Sequence, residues 1–168
     1  TTFVKMLAGV IKPDDGKFDT MLKVAYKPQY ITGDIDGTVQ EYLYQKAYDT
    51  VTSGFFEGEV LVPLGMKNLM DKEVKNLSGG ELQRLAITVC LASEADIYLF
   101  DEPSAYLDSN QRMNAARTIR RMMEKSGRSA MVVAHDIYFL DMVSDSMMVF
   151  GGKPGFHGIG SGPYDMRE

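Results

Sequence analysis

The chain has 168 residues, 45% of them hydrophobic and 24% charged, with a formal net charge of −5. This mix reads as one domain with a real core, and the acidic balance excludes a field that draws nucleic acid to the whole surface. A single cysteine excludes a disulfide framework and a cysteine-rich metal site, which fits a reducing compartment such as the cytoplasm. No apolar run approaches the ~20 residues of a membrane span, so no membrane partner is expected. Thr1 to Lys5 has none of the charged, apolar and cleavage regions of a signal peptide. Phe3, Met6, Leu7 and Val10 keep helical spacing, with Gly9 near a C-terminal stop. These residues read as a helix already under way, and hence as a fragment that begins further upstream.

Pro13-Asp14-Asp15-Gly16 is a turn signal. Leu22 to Tyr26 reads as a short strand ended by Pro28, with Gln29 just beyond it, and Gly33 to Gly37 as polar loop. Residues 38 to 70 read as mostly helical, broken by Gly54, Gly58, Pro63 and Gly65. A helix is expected from about 78 to 93, with Leu82, Leu85, Ala86, Val89 and Cys90 on one apolar face. Ser78 and Glu81 have capping-box spacing, and the bare backbone of Gly79 and Gly80 suits close approach to an anion.

Ile97 to Phe100 is an apolar run of buried-strand type, closed by Asp101-Glu102-Pro103. Both carboxylates therefore fall at the carboxyl end of a strand, where open α/β sheets bind ligands. Beside phosphate and Mg²⁺ such a pair divides its work. Asp101 orients the metal shell, and Glu102 polarises an attacking water. A helix from Ser109 to Ser126 stops at Gly127. Ala130 to Ala134 reads as another buried strand and runs into His135-Asp136. A lone histidine there is an ordinary structural feature, and it becomes a site residue only in order with the other elements. A helix over about 137 to 144 and a last strand from Ser146 to Phe150 follow. From Gly151 on, the glycine-rich residues 151–168 read as loop or tail. Apolar strands alternating with helices imply an α/β fold with a mostly parallel sheet covered on both faces.

An LSGG helix start, a strand ending in DEP, then SAYLD, then a strand ending in HD together resemble the ATP-binding cassette (ABC) ATPase domain, over nearly the whole chain. The resemblance implies a P-loop NTPase fold with flanking helices and an ABC-type helical subdomain at about 36–95. It implies ATP and Mg²⁺ as cofactors, and ATP hydrolysis by in-line attack of water. Thr1 and Thr2 would be the last residues of the phosphate loop, Thr1 on Mg²⁺ and Thr2 on phosphate, so that the loop's glycines and lysine, and the strand before them, precede residue 1. Gln29 would lie near Mg²⁺ and the attacking water. Asp101 is the implied Walker B aspartate, Glu102 the catalytic glutamate and His135 the switch histidine. Ser78, Gly79, Gly80 and Glu81 would meet the γ-phosphate of an ATP held mainly by an opposing cassette, and Ser104 to Asp108 would couple the two sites. Asp108 is thereby a nucleotide-side residue.

LSGGELQR, DEPSAYLDSNQR, LAGVIKPDDG and VAYKPQ are similar in particular to the ABC E subfamily, the ribosome-recycling ATPases also called RNase L inhibitors. Only Lys17 to Pro28 separate Gly16 from Gln29, which resembles the second cassette of that subfamily. The resemblance implies ribosome splitting, with a ribosomal subunit and translation factors as partners, and iron–sulfur clusters only in a separate domain. The alternative is the ATPase subunit of a membrane ABC transporter. Ala134 stands where the family has an acid, which bears on the tuning of His135. Arg117, Arg120, Arg121, Lys125 and Arg128 make a basic stripe, a candidate contact for ribosomal RNA. Met122, Met123, Met142, Met147 and Met148 are expected to fill core gaps, and Cys90 to be a small buried hydrophobe. His157 is expected to be exposed.

Overall fold

The apolar run Ile97–Asp101 forms β2, the middle of the sheet. The computed structural model describes residues 2–16, 22–28, 32–153 and 157–166. It places β1 (Val24–Lys27) on one side of β2 and β3 (Ser129–Val133) on the other. Both pairings are parallel, Val24 opposite Ile97 and Asp101 opposite Val133, which gives the order β1-β2-β3. Parallel neighbours require long crossovers, and the helices occupy them. Leu99 and Phe100 have no exposed surface, so the run that looked like a fully buried strand is one.

The crossover from β1 to β2 carries the helical layer. It holds α2 (Val39–Val51), the short α3 (Gly54–Phe56), a π turn (Glu57–Leu61), 3₁₀ turns at Met66–Leu69 and Val74–Asn76, and α4 (Gly79–Ala92). The expected helix start at Ser78 is there as a true cap. The Glu81 N–H donates to Ser78 Oγ at 3.3 Å, and the Ser78 N–H donates to Glu81 Oε2 at 2.9 Å. The expected single apolar face is too narrow. Gln83, Ile87, Thr88 and Leu91 are buried as well, because α4 is enclosed by other elements on several sides. The second crossover is α5 (Ser109–Ser126), stopped by Gly127 in the left-handed conformation at φ 65°.

Three further expectations fail. The strand before His135 is not covered on both faces. Ser129 and Ala130 are exposed and the rest of β3 is half-buried. No described strand pairs with its outer edge. Beyond that edge lies a cavity of about 810 Å³ bounded by α1 (Thr2–Leu7), α5 and β4 (Ser146–Lys153). Second, the glycine-rich residues after 151 are not all loop. His157–Asp165 is β5, antiparallel to β4, and β4 extends to Lys153 rather than ending at Phe150. Glycine serves this hairpin because its strands approach so closely. At Gly162, φ 116°, a Cβ would stand 2.8 Å from the Met147 carbonyl oxygen. Third, Met147 and Met148 are 40% and 38% exposed on that hairpin and fill no core gap. Met122 and Cys90 are buried as expected, Met123 and Met142 pack against the core from half-buried positions, and His157 is exposed on β5. Among the described residues no helix is long and apolar enough to cross a membrane.

Candidate functional site

The chemistry gathers where β2 ends. Asp101 is fully buried and Glu102 is 8% exposed. Their position follows from the strand itself, since four apolar residues run inward and the chain must turn at Pro103. Glu102 takes a positive φ of 51°, a conformation that β-carbon sterics disfavour and that functional sites retain when their surroundings hold it. Here the backbone is held from three sides. The Glu102 N–H donates to the Val133 carbonyl at 2.7 Å. The Glu102 carbonyl accepts from Gln83 Nε2 at 2.6 Å and from Lys27 Nζ at 3.3 Å. Lys27 Nζ also donates to the Asp101 carbonyl at 2.8 Å.

Lys27 and Gln83 are the residues that motif reading missed. The available signal was parity. Ala25 and Lys27 lie on the same face of β1, so a buried Ala25 implies a buried Lys27. Lys27 is 1% exposed, and burial pushes its pKa down to about 8 despite the opposing pull of Asp101, Cys90 and Glu102. Burial likewise pushes the Cys90 thiol up to about 12. The Tyr26 hydroxyl lies 3.5 Å from Asp101 Oδ2, and burial first, then that carboxylate, raises its pKa.

The carboxylate of Glu102 points at His135. Its Oε1 lies 3.2 Å from His135 Nε2, yet out of hydrogen-bond alignment, so this buried oxygen has no bonded partner. The His135 side chain is 95% exposed. The next residue explains the His-Asp pair structurally. Asp136 caps α6 (Ile137–Val143) by accepting from the Phe139 N–H at 3.1 Å, and it pairs with Arg112 at 3.0 Å. Thr2 opens α1 and lines the cavity beside β3 together with His135. Thr1 and Gln29 lie outside the described residues.

The start of α4 meets its own chain before it meets any anion. A Cβ on Gly80 would stand 2.8 Å from the Tyr106 carbonyl oxygen, and one on Gly79 would touch the Tyr106 ring at 3.4 Å. Gly80 therefore has a packing reason, close backbone approach to the loop at 104–107. Glu81 is occupied by Ser78 and by Lys72 at 2.7 Å, and these bonds hold its carboxyl down at about 2. Asp108 caps α5, accepting from the Gln111 N–H at 2.8 Å. In the basic stripe, Arg120 pairs with Glu124 and Asp145, Arg121 and Lys125 with Glu59, and Arg128 with Asp96. Any phosphate at those four side chains would compete with these carboxylates.

The oxygens present fit a hard divalent cation that keeps most of its shell from water and phosphate. The buried Asp101 carboxylate is a suitable donor, and the adjacent Glu102 has a buried, unbonded Oε1 that can face the cation's water. They are too few for an all-protein cage, and no cluster of three or more His, Cys, Asp or Glu ligands occurs among the described residues.

Residues 1–105 match the family model described as ABC transporter. The "ABC transporter E family member 3" of Arabidopsis thaliana is 38% identical over 144 residues, which cover 82% of this chain and 80% of that protein. The chain belongs to the ABC family, in its E branch. An "uncharacterized ABC transporter ATP-binding protein" of Methanocaldococcus jannaschii is 49% identical over the whole chain, which spans only 28% of that relative. Among solved structures, an RNase-L inhibitor is 54% identical and superposes with a TM-score of 0.95, over 99% of this chain and 32% of that one. A complex of the archaeal ribosomal stalk protein aP1 with the archaeal ribosome recycling factor aABCE1 matches at 54% identity and a TM-score of 0.94, over the same shares. The three-stranded sheet described above is thus part of an ABC cassette fold.

Proposed function

We propose that this cassette binds ATP with Mg²⁺ and hydrolyses it, and that it closes against a second cassette to drive ribosome splitting during recycling in the cytoplasm. The observation that carries the reading is Glu102, a buried carboxylate at a strand end with one unbonded oxygen and a backbone held in a disfavoured conformation. A base of this kind accepts the proton of an attacking water at Oε1 as the water oxygen bonds to the γ-phosphorus and the bond from that phosphorus to the leaving ADP oxygen breaks. His135, 3.2 Å away, orients the water or the phosphate and takes up part of the developing charge. Asp101, Thr1 and Gln29 would hold Mg²⁺, which when bound supplies the counter-charge to the phosphates. Thr2 would contact phosphate. Ser78, Gly79, Gly80 and Glu81, with Asp108, would face the nucleotide of the opposing cassette. The site therefore works as a pair, with each cassette completing the other.

The ribosomal assignment draws on relatives that share this chain's sequence throughout, one of them a recycling factor seen with a stalk protein. Co-sedimentation of the full-length protein with ribosomes rather than with membranes supports it. Partition into membranes would support the transporter alternative. For the chemistry, Glu102→Gln in the full-length protein should keep ATP binding, lose turnover and accumulate the closed pair. An unchanged steady-state hydrolysis rate would remove Glu102 from the catalytic role.

A further inference from the structure

Lys27 is an odd residue to find fully buried in a parallel sheet. Its ammonium donates to two consecutive main-chain carbonyls, of Asp101 at 2.8 Å and of Glu102 at 3.3 Å. Gln83, reaching in from α4, donates to the same Glu102 carbonyl at 2.6 Å. It does so while its own Oε1 stays buried without a partner. A buried unpartnered acceptor is a cost that a plain apolar side chain would avoid. Both residues thus carry an unfavourable feature, and both direct their donors to one peptide.

That peptide is where a non-glycine residue sits at positive φ. Such a conformation persists only when its neighbours over-determine it. The third restraint is the Glu102 N–H bond to Val133 in β3. Three elements therefore converge on one residue: β1 through Lys27, α4 through Gln83 and β3 through Val133. The hydrogen bonds of Lys27 and Gln83 to Glu102 go to its carbonyl and not to its carboxylate. Their influence on it passes through the main chain.

We propose that Lys27, assisted by Gln83, is a positioning residue that fixes the main chain of Glu102 and so aims its carboxylate. The clamp also links the helix that starts at Ser78 directly to Glu102. A displacement of α4 is transmitted to the carboxylate through the 2.6 Å bond of Gln83. Substrate would not touch either donor, so their loss should affect turnover and not ATP affinity.

The catalytic readout of the test rests on the proposed ATPase function, and the second readout does not. In the full-length protein, Lys27→Met keeps the length and apolar stem of the side chain and removes the donor. Misplacing a reacting group by about 1 Å can cost ~10²-fold. We therefore expect kcat to fall about 10-fold to 100-fold, with KM and Mg-ATP affinity within about twofold. In a Glu102→Gln background the same substitution should change the residual rate by less than about twofold, because both changes act on one group. An unchanged kcat overturns the proposal, and so does an equal loss in the Glu102→Gln background. Independently of turnover, hydrogen exchange should quicken about tenfold or more at the Glu102 and Ala105 amides, which bond to Val133 and to the Glu102 carbonyl. Exchange along α5 should stay as in the wild type. Unchanged exchange at Glu102 and Ala105 overturns the clamp whatever the rate does. If Lys27→Met does not fold, Gln83→Met decides in its place. It removes the second donor together with the unpartnered acceptor, and the same two signatures are required of it. If Glu102→Gln leaves hydrolysis intact, the ATPase reading fails and exchange alone judges the clamp.

Discussion

Gly80 allows a sharp separation of packing from ligand binding. Adding a methyl group there places Cβ 2.8 Å from the Tyr106 carbonyl oxygen and 3.5 Å from Gln111 Oε1. Ordinary contact begins near 3.4 Å, so the loop must retreat by 3.4 − 2.8, about 0.6 Å. Tyr106 cannot yield cheaply, since it already holds a positive φ of 63° and its neighbours Ser104 and Leu107 are buried. Overpacking of this kind costs ~1–3 kcal/mol. The same change at Gly79 puts Cβ 3.4–3.6 Å from the Tyr106 side chain, which is ordinary contact. Both substitutions gain some helix propensity over glycine, up to ~1 kcal/mol in a helix interior, and that gain cancels in the comparison. Gly80→Ala should therefore be less stable than Gly79→Ala by ~1–3 kcal/mol. With a urea m-value of ~2 kcal/mol per molar, the midpoints should differ by roughly 0.5–1.5 M. Equal midpoints would show that the loop at 104–107 does not rest on the start of α4, and would return both glycines to the anion reading alone.

Two further outcomes follow from charge. The Glu81 carboxyl is held at about 2, below its ordinary 4.5, chiefly by the Lys72 hydrogen bond and then by the Ser78 N–H. A depressed acid contributes stability that is present above pH 4.5 and is lost as pH falls towards 2. Lys72 is half exposed, so the contribution should be on the order of 1 kcal/mol. Comparison of urea midpoints at pH 7 and pH 3 should show a smaller acid loss in Glu81→Gln than in the wild type, and parallel losses would contradict the assignment. The 168 residues contain no G-x-x-x-x-G-K sequence, so a purified chain of these residues lacks the amide nest and lysine that hold a triphosphate. Losing two or three charge-assisted hydrogen bonds of ~1.5–3 kcal/mol each weakens binding ~10²-fold to more than 10⁵-fold. Calorimetric titration with Mg-ATP should find no micromolar affinity, and finding it would mean the nucleotide site is elsewhere.

Legibility in the sequence followed how local the cause was. Helix α5 was readable to the residue, because Asp108, a helical pattern and Gly127 act within one segment. The strand Ile97–Asp101 was readable because both its faces are buried and Ile97 to Phe100 are apolar. Val132 and Val133 looked the same from composition, yet β3 is half-exposed, since burial there depends on what lies along its outer edge. The hairpin of β4 and β5 escaped because glycine marks turns far more often than strands. Here it is required by contact across the pair, with Gly160 opposite Phe150. At the site, the two carboxylates, the histidine and the LSGG start were visible as spacing. The ammonium behind them was not, because nothing in the motif requires a lysine two residues before Gln29. Its meaning comes from β1 lying beside β2, a pairing of residues more than seventy positions apart.

That pairing bears on why such a costly residue is kept. Burial lowers the Lys27 pKa from 10.5 to about 8, which means that holding it charged near neutral pH costs ~3 kcal/mol relative to water. The sign follows from proton counting. Between pH 8 and 10.5 the unfolded chain holds a proton that the folded chain does not, so stability rises with pH and the penalty is fully present below pH 8. A methionine of similar length would avoid it, and the Glu102 carbonyl would still have Gln83. Apart from the Asp101 carbonyl, which accepts from Lys27 at 2.8 Å, folding gives no reason for an ammonium here. Two adjacent carboxylates do. Asp101 and Glu102 are both buried at one strand end, and Lys27 reaches the carbonyls of both. The ammonium brings a positive charge to their shared main chain, and its hydrogen bonds hold Glu102 at φ 51°. On the proposed ATPase reading, stability is given up for placement of Glu102, a trade expected of a catalytic strand end.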